Sequence, residues 1–162
     1  MFKSQTNLTS IQKITISGLV IALYVIVMFL TQSFAFGQYQ VRIATSIYGL
    51  AAIYPFLIVP LGIANFLSNT LMGGLGILDM VGGLFVGLLT AYFCYALRKV
   101  NVYLVGLPIL IIPTLCVPIW LSYLLNIPYI ALVISVGIGQ IIPAVVAVLL
   151  IKYLEKRGKK GQ

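Results

Sequence analysis

Six apolar stretches follow one another along the chain, separated by short breaks rich in glycine, proline and polar residues. They cover residues 14–31, 43–55, 60–72, 79–97, 103–124 and 128–154. A helix needs about 20 apolar residues to cross the hydrocarbon of a bilayer, and the longer stretches reach that length. The pattern predicts an all-α integral membrane protein, in which residues 1–162 form one six-transmembrane-helix bundle.

Composition supports a membrane protein. Hydrophobic residues make up 62% of the chain and charged residues 7%, which leaves too few polar side chains to cover a soluble globule. The net charge of +8 could suggest nucleic-acid binding. However, the basic residues flank apolar stretches and do not form a polar face, so we set nucleic acid aside.

The basic residues also predict an orientation, because lysine and arginine are enriched in the cytoplasmic parts of membrane proteins. With six spans, nine of the ten basic residues lie on one side, and only Arg42 lies on the other. The nine are Lys3, Lys13, Arg98, Lys99, Lys152, Lys156, Arg157, Lys159 and Lys160. We therefore expect both termini to be cytoplasmic, whereas five spans would put the basic C-terminal tail outside.

Several kinds of chemistry lack the residues they need. There is no glycine-rich loop ending in Gly-Lys-Ser or Gly-Lys-Thr for nucleotide phosphates. Cys94 and Cys116 have no metal-ligand spacing, so no metal site is expected. The only acids, Asp79 and Glu155, fall on opposite sides of the membrane, so we do not expect an enzyme. Asp79 could still carry a coupling proton, which leaves an autonomous proton-coupled secondary transporter as the alternative function.

Polar residues near the outer helix ends indicate a candidate binding site. Polar groups at such depth are costly unless they are paired, so they mark either a site or a structural network. We expect substrate contacts from Arg42, Asn65, Asn69, Asp79, Trp120, Tyr123 and Gln140.

Simpler interpretations exist for most of these residues. Arg42 could snorkel to the interface, and Asp79 could cap the fourth helix or pair with Arg42. Asn65 and Asn69 lie one helical turn apart and could join helices by hydrogen bonds. The two aromatic residues could belong to an interfacial aromatic belt.

The first apolar stretch contains a small-xxx-small pair, Gly18 and Ala22, which allows another helix to approach closely. Such pairs also occur in internal helix contacts. A small bundle with an outward polar pocket and no energy source of its own suggests a binding subunit that works with others.

Short motifs in the central part of the chain resemble those of a known family. They comprise Gln40 to Ile43, Ala64 to Phe66, Gly73 to Gly76, and Leu78 with Asp79. This pattern is similar to the QueT family, the queuosine-precursor S components of energy-coupling-factor (ECF) transporters, which are ABC-type importers. The resemblance implies an S-component-like fold in a bacterial inner membrane. It also implies uptake of a small planar heterocycle, either a queuosine precursor of the 7-deazaguanine or queuine type or a related vitamin.

The resemblance also implies partner subunits. In the family, a small-residue motif on the first helix docks onto a membrane-embedded T component, which assigns that role to Gly18 and Ala22. Two cytoplasmic ATPase subunits use the ATP, so this chain is not expected to bind a cofactor.

The chain departs from the family pattern in two places. The family typically has Ser-Glu where this chain has Ala44 and Thr45, and a glutamate near the position of Gln140. A carboxylate suits the N–H donors of a 7-deazaguanine, and only Asp79 remains for that contact. We therefore expect a neutral base to bind in preference to a cationic aminomethyl precursor.

Overall fold

The computed structural model describes residues 8–35, 40–73 and 75–160, with side chains described as far as residue 157. Lys3 and Gly74, which entered the topology and the family resemblance above, lie outside the described residues. The described chain is helical apart from short turns. Its α-helices are α1 (Ser10–Leu30), α2 (Gln32–Ala35), α3 (Ile58–Ser68), α4 (Ile77–Arg98), α5 (Gly106–Leu125) and α6 (Tyr129–Lys160). Three 3₁₀ segments, Ile43–Ala52, Pro55–Leu57 and Val102–Val105, and a π-helical turn, Asn69–Gly73, complete it.

Five helical segments among the described residues are long and apolar enough to cross a membrane. They are Ser10–Leu30, Pro55–Gly73, Ile77–Arg98, Val102–Leu125 and Tyr129–Arg157. The second predicted helix corresponds to a shorter apolar segment, Ile43–Ala52. It winds as a 3₁₀ helix, and eight of its ten residues are buried. This segment, hereafter the central 3₁₀ helix, packs against α4, α6 and α1.

Helix α1 begins at Ser10, four residues before the apolar stretch that predicted it, because a capping box lies upstream. The Thr9 side chain accepts a hydrogen bond from the Gln12 backbone N–H, and the Gln12 side chain accepts one from the Thr9 N–H. These bonds satisfy two of the amides that a helix start leaves free.

Helix α4 begins at Ile77, not at Asp79 as the capping interpretation of that residue predicted. Gly76 takes the N-cap position with a φ of 91°, a conformation that glycine tolerates and other residues rarely adopt. Asp79 therefore lies inside the first turn of α4, and its carboxylate is available for a tertiary contact.

Close helix contacts hold the bundle together around the pocket described below. Between α3 and α4, a Cβ on Gly62 would lie 2.7 Å from the Leu88 side chain, and one on Gly87 would lie 3.1 Å from the Gly62 Cα. Helix α5 stays continuous through Pro113 and Pro118 and packs against both α4 and α6.

The ends of α4 and α6 are joined by an ion pair between Arg98 and Glu155. The Arg98 Nε also donates to the Glu155 Oε1 at 2.6 Å. Helix α6 is the longest element, about 48 Å at 1.5 Å per residue. The hydrocarbon of a bilayer is about 30 Å thick, so the basic C-terminal end of α6 reaches beyond it.

Candidate functional site

A small cavity lies where the central 3₁₀ helix meets α3, α4, α5 and α6. Its lining residues are Gln40, Arg42, Thr45, Tyr48, Asn65, Gly83, Val86, Pro113, Val117, Trp120, Val136 and Gln140. Its volume is about 10 Å³, room for about one water molecule. Five of its lining residues are polar and buried. Burying polar groups costs free energy unless they form hydrogen bonds.

Arg42 and Asn69 form one side of a polar network next to this cavity. The Arg42 Nη1 donates to the Asn69 Oδ1 at 3.2 Å, and the Asn69 Nδ2 donates to the backbone carbonyl of Asp79 at 3.0 Å. Both ends of the Asn69 amide therefore bond within the protein. This geometry matches the hydrogen-bonding interpretation of Asn69, and it joins the π-helical turn to the start of α4.

Asp79 contacts Trp120 and not the arginine that was one of its expected partners. The Trp120 Nε1 donates to the Asp79 Oδ1 at 3.0 Å, and Asp79 is only 1% exposed. A carboxylate in the first turn of a helix is also favoured by the helix dipole. The other carboxylate oxygen, Oδ2, is buried with no hydrogen-bond partner among the described residues.

The indole ring of Trp120 rests directly on Gly82. A Cβ at that position would lie 2.8 to 3.0 Å from three ring atoms, closer than real side chains allow. The next residue, Gly83, makes similar room, because a Cβ there would lie 2.5 Å from the Asn69 Nδ2. This pair of glycines in α4 makes room for the Trp120 ring from α5 and for the Asn69 amide from the π-helical turn.

Asn65 lies one turn before Asn69 on α3 and faces the cavity directly. Its Nδ2 donates to the Gly83 carbonyl at 2.7 Å, which fixes the orientation of the amide. Its Oδ1 is buried without a hydrogen-bond partner among the described residues. Asn65 therefore differs from Asn69 in presenting an acceptor that no described protein group uses.

Thr45 and Gln140, two of the residues that depart from the family pattern, are in contact. The Thr45 Oγ1 lies 2.9 Å from the Gln140 Oε1 and 2.7 Å from the Arg42 carbonyl. A hydroxyl has a single proton, so it donates to one of these oxygens at a time. Both side chains are buried in the cavity wall, so both residues shape the cavity.

The remaining predicted site residues lie elsewhere. Tyr123 is 77% exposed and does not line the cavity, so only one of the two aromatic residues, Trp120, reaches it. Gly18 and Ala22 are exposed on α1, and a Cβ on Gly18 would meet no atom within 4 Å.

Three further cavity residues, Gln40, Tyr48 and Gly83, were not among the predicted substrate contacts. Gln40 has a left-handed backbone with a φ of 44° and a buried, unpartnered Oε1. Tyr48 lines the cavity, and its hydroxyl bonds that of Tyr24 at 3.0 Å. Gly83 belongs to a Gly-Gly pair inside an apolar helix. Such a pair indicates that another element packs closely against the helix, so this contact could have been predicted.

Metal ligation finds no support in the described ranges: residues 8–35, 40–73 and 75–160 contain no group of three acidic, cysteine or histidine side chains placed to hold an ion. The polar groups of the cavity are three side-chain amides, one guanidinium, two hydroxyls, the indole N–H of Trp120 and the neighbouring Asp79 carboxylate. Such groups recognise hydrogen-bond donors and acceptors on an organic molecule.

A family model described as QueT transporter matches residues 14–156. The chain belongs to the QueT transporter family. No curated protein and no solved structure gives a significant match. QueT membership makes this chain a membrane transport protein, and the matched region includes every cavity residue described above.

Proposed function

We propose that the chain is the substrate-binding S component of an ECF importer and that the cavity beneath Trp120 is its substrate site. The observation that supports this most directly is a set of buried acceptor atoms without partners among the described residues. They are the Gln40 Oε1, the Asn65 Oδ1 and the Asp79 Oδ2. Leaving such an acceptor unpaired costs about 1–3 kcal/mol, a cost that a ligand carrying N–H donors would remove.

The chemistry of these groups favours a small planar heterocycle of the queuosine-precursor type. A 7-deazaguanine carries ring and amino N–H donors, which suit the amide oxygens and the Asp79 carboxylate. It also carries a carbonyl oxygen, for which the buried Arg42 guanidinium is a suitable donor. Trp120 supplies an aromatic surface on which a planar ring could stack.

The substitutions at Thr45 and Gln140 support a neutral ligand. With a glutamate at both positions, two carboxylates would stand in the cavity wall, since the present side chains lie 2.9 Å apart. A hydroxyl and an amide at these positions carry no charge to balance a buried cation, and the one carboxylate of the proposed site, Asp79, is already offset by the buried Arg42, to which Asn69 links it. A buried cation without a partner charge is strongly disfavoured, so the uncharged base is the preferred ligand.

Binding requires the cavity to open, because it now has room for only about one water molecule. Trp120 is the residue whose movement would enlarge it, since its ring both lines the cavity and bonds Asp79. The structure then corresponds to a closed state of the proposed site.

For the membrane arrangement we propose six spans with both termini in the cytoplasm of a bacterial cell. The central 3₁₀ helix forms the core of the second span: at about 2.0 Å per residue its ten residues cover about 20 Å of the roughly 30 Å hydrocarbon, against about 15 Å as an α-helix. Its burial among α1, α4 and α6 satisfies the rule that irregular backbone at membrane depth is enclosed by protein. The basic ends of α4 and α6 then face the cytoplasm.

The proposed partners are a T component and two cytoplasmic ATPase subunits, which hydrolyse ATP outside this chain. Gly18 and Ala22 support a docking surface on α1, because both are exposed and small. The neighbouring Leu19 and Leu23 are exposed as well, so this face of α1 is apolar and open to contact.

Calorimetric binding to the purified protein in detergent tests the proposal. The ligand panel comprises a neutral 7-deazaguanine, its cationic aminomethyl derivative, queuine, other purines and common vitamins. We expect saturable binding of the neutral deazaguanine that Asp79→Asn weakens at least tenfold. Glu155→Gln, which removes the chain's only other carboxylate, should leave it unchanged. Absence of binding across the panel would remove the substrate assignment, and pH-driven uptake by the chain alone would favour the proton-coupled alternative.

A further inference from the structure

An apolar groove runs between α5 and α6 at the basic end of the bundle, away from the proposed substrate site. Gly106 and Ala144 form its floor, where a Cβ on the glycine would lie 3.1 Å from the Ala144 carbonyl oxygen. Its walls include Leu107 and Leu110 from α5 and Val145 from α6. The volume of this groove is about 280 Å³, far larger than that of the polar cavity.

One end of the groove is cationic. Tyr103 lines this end, and the Lys152 Nζ donates to its hydroxyl at 2.9 Å while lying 4.6 Å from the centre of its ring. An ammonium group has three N–H donors, so the tyrosine hydroxyl leaves donors for a second acceptor. Lys152 is exposed, and its contacts with Tyr103 place its ammonium group at this end of the groove.

The charges nearby do not neutralise Lys152. Glu155 is the only acid at this end of the bundle, and it already pairs with Arg98. Lys156 and Arg157 follow on α6, and Lys99 follows α4. An apolar groove that ends in uncompensated positive charge at the edge of the hydrocarbon complements a molecule with an acyl chain and an anionic headgroup.

We infer that this groove is a binding site for one anionic phospholipid from the leaflet at the basic end of the bundle. The phosphate accepts from Lys152 beside Tyr103, and an acyl chain lies along Leu107, Leu110 and Val145. Basic pockets between helices on the cytoplasmic side are a recognised way to hold such headgroups. A lipid fits this groove better than a partner helix, because its acyl chain matches the apolar walls and its phosphate matches the ammonium at the groove's end.

Two pairs of variants test the inference in purified protein. Lys152→Gln removes the headgroup contact, and Lys13→Gln removes the same charge on α1, which packs mainly against α3 and the central 3₁₀ helix. Val145→Trp fills the groove, and Ile141→Trp adds the same bulk one turn earlier on α6, at a position that is also exposed and does not line the groove. Thermal unfolding in detergent with added phosphatidylglycerol or phosphatidylcholine, and native mass spectrometry of bound lipid, supply the readouts.

We expect phosphatidylglycerol to stabilise the wild-type protein more than phosphatidylcholine does. Lys152→Gln should weaken phosphatidylglycerol binding about fivefold, the change that about 1 kcal/mol per basic residue represents. Val145→Trp should abolish the retained lipid, and the two controls should behave as wild type.

An equal loss of phosphatidylglycerol binding in Lys152→Gln and Lys13→Gln would overturn the inference, because it would mean that the lipid responds to the overall charge of the protein and not to this groove. Unchanged lipid retention in Val145→Trp would overturn it as well. If Val145→Trp also failed to co-purify with partner subunits, the groove would belong to a protein interface.

Discussion

The contact between Gly82 and Trp120 offers a direct test of whether the proposed substrate site must open. In Gly82→Ala the new methyl group would lie 2.8 to 3.0 Å from three atoms of the rigid indole ring. The backbone of α4 cannot retreat easily, because the carbonyl of the adjacent Gly83 accepts a hydrogen bond from the Asn65 Nδ2 at 2.7 Å, and even a Cβ on Gly83 would lie 2.5 Å from the Asn69 Nδ2. The ring therefore has to move, and its Nε1 then loses the 3.0 Å bond to the Asp79 Oδ1.

The size of the effect follows from that hydrogen bond. A hydrogen bond to a charged group contributes about 1.5–3 kcal/mol, and here only the closed state makes it. Removing it shifts the balance between closed and open states by roughly 10- to 150-fold. Since apparent affinity scales with the fraction of molecules that are competent to bind, Gly82→Ala should bind the substrate more tightly, by up to that factor.

Calorimetry on wild type, Gly82→Ala and Gly18→Ala measures this change. Gly18→Ala is the matched control, because it makes the same substitution in a helix but meets no atom within 4 Å. Trp120 is the only tryptophan, so its emission reports independently that the ring has moved in Gly82→Ala. Weaker binding together with a shifted emission would refute the reasoning, because it would mean that the resting position of the ring is the one that holds the ligand.

Three further predictions concern individual residues. Gln140→Glu puts a carboxylate in the cavity wall, and a cation about 4 Å from it gains about 4 kcal/mol of Coulomb energy before desolvation. Competition calorimetry should therefore show the ratio of the two affinities moving at least tenfold from the neutral deazaguanine towards its cationic aminomethyl derivative. Asn69→Ala leaves Arg42 and a backbone carbonyl without their amide partner, so thermal unfolding in detergent should report a loss of about 1–3 kcal/mol. Tyr123→Ala should leave substrate affinity within twofold of wild type, because that side chain is 77% exposed and outside the cavity; a larger loss on titration would contradict this placement.

Much of the helical pattern could be read from hydrophobic runs, because lipid imposes long apolar segments. The sequence did not, however, predict that the second segment, Ile43–Ala52, winds as a 3₁₀ helix. Its residues are small or apolar on every side, including Ala44, Gly49 and Ala51, so no polar face reveals a period of 3.0 or 3.6. Burial among three helices, a tertiary property, decides its conformation.

The candidate site shows the same division. Buried polar residues stand out in an apolar sequence, which is why Arg42, Asn65 and Gln140 could be named before the structure. Their partners could not be named, because contacts such as Thr45 with Gln140 join positions 95 residues apart. For Trp120 and Tyr123, three residues apart on one helix, the sequence offered no way to tell which ring faces inward.

The buried polar groups of the proposed site lower the stability of the fold, and a binding function would explain why they are kept. Three buried acceptors without described partners, each costing about 1–3 kcal/mol, are a considerable fraction of the 5–15 kcal/mol that stabilises a typical domain. If stability were the only requirement, apolar side chains in place of these groups would avoid the free-energy penalty. A transporter that must hold and then release its cargo gains from it: the ligand satisfies the acceptors, and binding then stabilises the fold by an amount that grows with ligand concentration. If the cavity is the substrate site that we propose, its closure and its acceptors without described partners have one explanation: Trp120 shields Asp79 until a substrate with better-placed N–H donors displaces the ring.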